Sequence, residues 1–376
     1  MPELETLLAD MVRIDSSNPG LAGGPGEAAF AAHLARLMER LGMEVDLWDA
    51  LPGRPNVVGR LTGGGGGRSL MLLGHLDVVG PWGPGAFEPV VRGGRMYGRG
   101  AADMKCGFVA ALLAVEALLA SGRRPRGDVL VAGVVDEEWE SAGAAALPAR
   151  WRSDAAVLVE CTGLEVVAEH GGFVWYEIES RGVEAAGADP EHGVDGIALL
   201  APVLSGITAL DAELERRPHA RYGRGSIHAS TIVGGDQLPV YPVRCTLGVE
   251  RCLIAGESVA QAQTEMEGLL AAARAADSRF RGDLRTIVAR EPLEQAEDEP
   301  VIAAVVAAAA EVLGRPPVLR GDIGWGDSGL LVEAGIPCVT FGPVGHGEHT
   351  ADEWVDLASV ATTADVLART ARAFCA

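Results

Sequence analysis

No Cys-x-x-Cys pair occurs anywhere in the 376 residues, and the six cysteines (Cys106, Cys161, Cys245, Cys252, Cys338, Cys375) lie far apart. A chain of this size needs no disulfide staples, so they read as reduced thiols of a cytoplasmic protein. Basic residues are scarce as well. Thirty-one Lys and Arg against 52 Asp and Glu leave a formal charge of −21, a field that repels phosphate backbones and anionic lipid headgroups and disfavours nucleic acid or membrane as partner. Long apolar runs are missing: Val301–Ala310 stops after ten residues at Glu311, short of the roughly 20 that a bilayer needs. The first residues, MPELETLLADMVRIDSSNP, have neither the basic start nor the small-residue cleavage site of a secretory leader. The glycine run Gly63–Gly67 has no Gly-Lys-Ser/Thr behind it, so it reads as a flexible turn and not as a phosphate loop. No internal repeat is visible.

What is present is apolar. With 48% hydrophobic residues, 22% charged residues and 50 glycines, the chain can bury a large core, and its length suits two compact units. Helical spacing covers Glu3–Arg13 and Glu27–Leu41, and short strands are expected at Val45–Trp48 and Asn56–Leu61. Near-continuous apolar strands follow at Ser69–Val79, Asp128–Val135, Ala155–Val159 and Pro337–Phe341, alternating with helical runs such as Phe108–Ala120 and Gly329–Ala334. That alternation predicts an α/β fold, a mostly parallel sheet flanked by helices. Between 173 and 289 the texture changes to alternating strands (Phe173–Ser180, Val240–Glu250) and two helical runs, Val194–Leu214 and Ser258–Ala275. The expected organisation is a discontinuous α/β domain, 1–172 plus 290–376, interrupted by an α+β domain, 173–289.

Candidate ligands gather where apolar strands end, the place where open α/β sheets keep their binding crevice. His75 and Asp77 sit two apart on one strand, sharing a face, so that the carboxylate can fix the imidazole tautomer. Asp103 lies in the glycine-punctuated GRGAADMKCG, where a plain helix cap is the alternative. Asp136-Glu137-Glu138 ends one strand and Glu160 another; closely spaced carboxylates need a cation or a proton to relieve their repulsion. After the last strand, GPVGHGEHTADEWV offers His346 or His349, between which chemistry alone does not choose. Imidazole and carboxylate without thiolate suit zinc, manganese or cobalt in a hydrolytic site.

These segments, GHLDVV, GRGAADMKCG, DEEWESAG, VLVE, EHGG and GPVGHGEHTADEWV, resemble in order and spacing the zinc-dependent superfamily of aminoacylases, acetylornithine deacetylases, succinyl-diaminopimelate desuccinylases and glutamate carboxypeptidases. The resemblance implies two divalent metal ions, bridged by Asp103, with His75 and Glu160 completing one site and Glu138 and His349 the other. It further implies that Asp77 orients His75, that Glu137 is the general base on a bridging water, that a cis peptide follows Asp103, and that the discontinuous domain is catalytic while 173–289 is its lid and carries a homodimer contact. The implied activity is hydrolysis of an amide bond in a small molecule or peptide.

The lid departs from that family. Where the family carries a lid histidine, GVEAAGADPEHG has Ala186; where it carries a substrate-contacting asparagine, GGDQLPVYP has Pro239; and its Asp-x-Arg becomes Glu250-Arg251-Cys252. Arg251, Arg224, His228 and His192 are candidate substitutes for substrate binding. The changes point to an unusual, less acidic substrate. Two alternatives are a repurposed member that performs acyl transfer, cyclisation or release of a biosynthetic intermediate, and a non-catalytic metal-binding homologue. Asp327 reads as the cap of the helix that follows it.

Overall fold

The computed structural model describes residues 3–376. Met1–Ala168, Gln295–Arg320 and Gly326–Ala376 form one compact unit, and Glu169–Glu294 with Gly321–Trp325 a second. The short return of 321–325 to the second unit has local causes: Gly171 N–H donates to the Asp322 carbonyl at 2.9 Å, and Trp325 packs edge-on against His170 and Phe173 at centroid distances of 6.1 and 5.9 Å.

In the first unit the sheet has a parallel centre. Val129–Val134, Leu70–His75, Ala155–Leu158 and Cys338–Thr340 run parallel in that spatial order. Arg54–Leu61 and Glu44–Leu51 extend one side antiparallel, and on the other Thr340 pairs antiparallel with Val167. The central strands are apolar throughout because both of their faces are covered. Along Leu70–His75, Leu70 and Leu72 join the larger core with the helices Leu4–Val12, Ala28–Arg40, Cys106–Ala120, Pro300–Leu313 and Leu357–Phe374, while Met71 and Leu73 join a smaller one beneath Ala142–Ala146 and Ser328–Glu333. A small antiparallel sheet of Gly345–His346, Trp354–Asp356, Arg95–Tyr97 and Val90–Arg92 was not expected from the sequence. The glycine run is no loose turn either: Gly63, Gly64 and Gly65 donate to Asp128 Oδ1 and to the carbonyls of Pro125 and Arg126.

The second unit is a four-stranded antiparallel sheet in the order Ser226–Gly234, Arg244–Leu253, Gly172–Arg181, Gly282–Arg290. On the two central strands buried and part-exposed residues alternate, and the buried set (Val174, Tyr176, Ile178, Leu247, Val249) meets Val203 and Ile207 of the helix Ala201–Leu214 and Met266 and Leu270 of Val259–Ala276. No helix among the described residues is long and apolar enough to cross a membrane.

Arg251 belongs to this packing. It is fully buried, its guanidinium donating to Glu257 at 2.8 and 3.0 Å, to Glu265 at 2.9 Å and to the Cys252 carbonyl. The expectation that Arg251 grips a substrate is therefore corrected: its donors are consumed inside the sheet–helix interface. Removing one partner of a buried ion pair strands the other charge. Arg251→Ala is expected to destabilise the protein by about 3–5 kcal/mol in urea unfolding while leaving KM unchanged; a raised KM at unchanged stability would return Arg251 to the substrate.

Candidate active site

The candidate ligand residues gather at the carboxyl edge of the parallel strands. His75 is the last residue of Leu70–His75, Asp136–Glu138 follow Val129–Val134, and Glu160 follows Ala155–Leu158 by two residues. Asp103 sits in the turn before Cys106–Ala120, where the Asp103–Met104 peptide is cis. His349, with φ 61°, comes from the loop after Gly345–His346.

Asp103 stands between the two imidazoles. Its Oδ1 is 2.9 Å from His75 Nε2 and its Oδ2 3.1 Å from His349 Nε2. His75 Nε2 also meets Glu160 Oε1 at 3.1 Å, and His349 Nε2 meets Glu138 Oε2 at 2.9 Å. The donors thus fall into two groups, His75 with Glu160 and His349 with Glu138, each sharing one oxygen of Asp103. Separations of this kind approach the edge, about 3.3 Å, of a tetrahedron built on 2.0 Å metal–ligand bonds. His75, Asp103 and Glu138 offer ligand atoms that all lie within 4.8 Å of one another. His346 is exposed and pairs with Asp352 at 3.7 Å, so the geometry favours His349 for the last position.

Asp77 acts differently from the expectation. The strand ends at His75, and His75 Nδ1 donates to the Asp77 main-chain carbonyl at 3.0 Å, the carboxylate standing off at 3.6 Å. The carboxylate instead accepts from the backbone N–H of Glu137 and of Glu138, both at 3.1 Å, and from Asn18 Nδ2 at 2.7 Å. It thereby sets the turn from which both glutamates project.

The sequence reading missed two supporting residues. Asn18 joins Asp77 to Asp136 Oδ1, 3.1 Å away. Glu353 is buried and holds the Asp103 turn, accepting from the N–H groups of Gly100, Ala102 and Asp103 at 3.0–3.1 Å and from Arg99 at 2.5 Å. Asp327 corrects another expectation: its side chain makes no cap hydrogen bond, and among the described residues neither of its buried oxygens has a hydrogen-bond partner.

The electrostatics are those of a site built for cations. Burial is the main cause that raises Glu137 and Glu160 and pushes Glu138 and Asp327 up to about 7, with neighbouring carboxylates adding to it. Hydrogen bonds to Asp103 and Glu138 lift His349 to about 11. Among the described residues no Lys or Arg is paired with Asp103, Glu137, Glu138 or Glu160. Carboxylates raised by burial and mutual repulsion, around two imidazoles whose Nε2 atoms face inward, fit divalent metal.

The family model "Peptidase family M20/M25/M40" matches residues 71–373. Among curated relatives, an N-formyl-4-amino-5-aminomethyl-2-methylpyrimidine deformylase of Bacillus subtilis is 27% identical over 86% of this chain and 84% of its own. A succinyl-diaminopimelate desuccinylase of Gluconacetobacter diazotrophicus is 29% identical over 96% and 94%. In fold the chain is similar to an aminopeptidase PepT of Bacillus cereus (TM-score 0.80, 22% identity, 98% and 97% covered) and to a dinuclear metal-binding M20 peptidase of Bacillus subtilis (0.71, 16%, 98% and 97%). The fold and site define a hydrolase of amide bonds with an α/β catalytic architecture. The chain belongs to peptidase family M20/M25/M40.

Metal uptake must displace protons from Glu138 and His349, because both sit above their ordinary values in the metal-free protein. Below neutral pH Glu138 retains its proton and competes with the metal, so affinity for Zn²⁺ is expected to rise with pH from about 6 to 8. Calorimetric titration in two buffers of different ionisation enthalpy reads the released protons directly, and a pH-independent affinity with no proton release would contradict this assignment.

Proposed function

We propose that this protein is a di-metal amide hydrolase whose general base is Glu137 and whose substrate is a neutral or weakly acidic amide. The observation that carries the reading is Asp103, one oxygen turned to His75 and the other to His349. In this reading His75, Asp103 and Glu160 would hold one ion and Asp103, Glu138 and His349 the other, zinc being the best match to the donors and cobalt or manganese compatible with them. Bound there, such ions supply Lewis-acid polarisation of a carbonyl and acidification of water.

Glu137 is an acid of the cluster that stands outside both ligand groups. Its N–H is fixed by Asp77, while its carboxyl has the high proton affinity that a group accepting and returning a proton needs. It would take a proton from the attacking water and deliver it to the leaving nitrogen. Asp77 would act as a positioning residue for this step.

The substrate class rests on the lid. Gly187 N–H donates to the Pro239 carbonyl at 2.7 Å, and Tyr241 N–H to Ala185 at 2.9 Å, so the segments holding Ala186 and Pro239 are bridged to each other. The remaining basic candidates already face carboxylates: Arg224 meets Asp211 at 2.7 Å, His192 meets Asp189 at 2.8 Å, and His228 meets Glu250 at 3.6 Å. A substrate carboxylate would have to compete with each of them. The deformylase above is named for an N-formyl aminopyrimidine, a substrate class that supports this reading. The exposed Ile232 and Val233 on the edge strand Ser226–Gly234 support a homodimer formed through this unit, and six free thiols support a reducing, cytoplasmic setting.

Glu137→Gln is expected to lower turnover roughly 10²- to 10⁴-fold with both metals retained by elemental analysis. On a panel of N-formyl and N-acyl amines and N-acyl amino acids, release of free amine should favour the uncharged members. Unchanged turnover in the variant would sink the base assignment, and a preference for N-acyl amino acids would sink the substrate class.

A further inference from the structure

Cys106 and Cys161 are outside the ligand set, yet each is covalently close to it. Cys106 opens its helix three residues after Asp103, and Cys161 directly follows Glu160. Their Sγ atoms stand 3.7 Å apart, and both thiols address one acceptor, the Ala102 carbonyl, at 3.3 and 3.2 Å. Among the described residues no other pair of thiols is in contact. The two backbones behind them touch: a Cβ on Gly107 would lie 2.1 Å from the Val159 carbonyl oxygen, so only glycine admits this approach. Reaching the S–S bond length of about 2.05 Å requires the sulfurs to close by roughly 1.7 Å.

We propose that Cys106 and Cys161 form an oxidation site, at which a hydroperoxide converts the two thiols into a disulfide that weakens metal binding. Cys161 is part-exposed and Cys106 buried, so Cys161 meets the oxidant first. Its sulfur attacks a peroxide oxygen, the O–O bond breaks, and Cys161 sulfenic acid forms while water or an alcohol departs with the thiol proton. The Cys106 sulfur then attacks the Cys161 sulfur, the S–O bond breaks, and hydroxide leaves as water with the Cys106 proton. Two electrons and two protons pass to the peroxide, and one S–S bond joins the segments that carry Asp103 and Glu160.

The consequence follows from the shared acceptor. Oxidation removes both S–H donors from the carbonyl of Ala102, the residue before Asp103, and draws the end of the Glu160 strand toward the helix. Changes of this kind in the surroundings of metal ligands cost roughly 10- to 100-fold in metal affinity. The effect on metal rests on the di-metal reading above; formation of the disulfide does not.

The test treats the metal-loaded full chain with hydrogen peroxide, alkylates remaining thiols after unfolding, and maps peptides by mass spectrometry with and without reductant. The expected result is a linked Cys106–Cys161 peptide pair two hydrogens lighter than its parts. Zinc should bind roughly 10- to 100-fold more weakly against a competing chelator, and dithiothreitol should reverse it. Cys106→Ser and Cys161→Ser should each abolish the linked pair and keep their zinc under the same peroxide. Sulfinate on Cys161 without the linked pair overturns the proposal, as does a linked pair with unaltered zinc affinity. If the pair forms and zinc is released from a protein that hydrolyses no amide, the oxidation site stands and the hydrolase reading falls.

Discussion

The carboxylate of Asp77 ties together two strand ends that carry the centre's chemistry. It lies just beyond His75 on one strand and binds the N–H groups of Glu137 and Glu138 at the end of the next. Burial favours its protonated form, but the nearby His75 imidazole and hydrogen bonds from Asn18 and the Glu138 backbone outweigh this and keep it ionised. An acceptor-only group is what the turn requires, since every neighbour presents a donor. Past Asp136, whose φ is 75°, the two successive glutamates differ in their contacts: Glu138 meets His349, while Glu137 stands outside both donor groups.

Around this link the cations are distributed with a clear bias. Arg54 neutralises Glu27 and Asp136, at 2.5 and 2.8 Å, and Arg99 neutralises Glu353. Lys105 is fully buried nearby, but its ammonium donates to the carbonyls of Met11 and Ile14, and burial lowers it to about 7. Each supporting acid thus has an arginine or a set of backbone donors, whereas the acids facing the centre are met by the two imidazoles and, at Glu138, by the single N–H of Val79. The energetic cost of that arrangement is visible in the raised proton affinities of Glu137, Glu138 and Glu160. It is recovered only when positive charge enters, which couples the site's stability to its loading.

Much of this was legible because the relevant strands are buried on both faces. Uninterrupted apolar runs marked Leu70–His75, Val129–Val134, Ala155–Leu158 and Cys338–Thr340, and ionisable residues at their ends stood out against them. The strands Ser226–Gly234 and Gly282–Arg290 were not seen, because they flank the second sheet and lack its buried alternation. Asn18 and Glu353 escaped for another reason: they act on backbone groups and on other side chains, and a one-dimensional pattern holds no record of such partners. Glu353 lay inside a segment already singled out, four residues after His349, and three backbone donors in one glycine-rich turn were its only signal. Arg251 shows the converse, a basic residue one place before the motif's arginine position whose side chain is buried against Glu257 and Glu265.

The lid changes have a common structural basis. Proline at 239 has no N–H to donate, and its carbonyl accepts from Gly187, beside Ala186. An alanine at 186 leaves that bridge without a polar side chain on either of its two altered positions. The two substitutions therefore sit in one hydrogen-bonded contact, where changing the polarity of one surface alters the surroundings of the other. The catalytic unit retains every carboxylate and imidazole of its pattern. The proposed change of substrate draws on this contrast more than any reading of lost catalysis does, since an abandoned centre would have no reason to keep costly, mutually repelling buried acids.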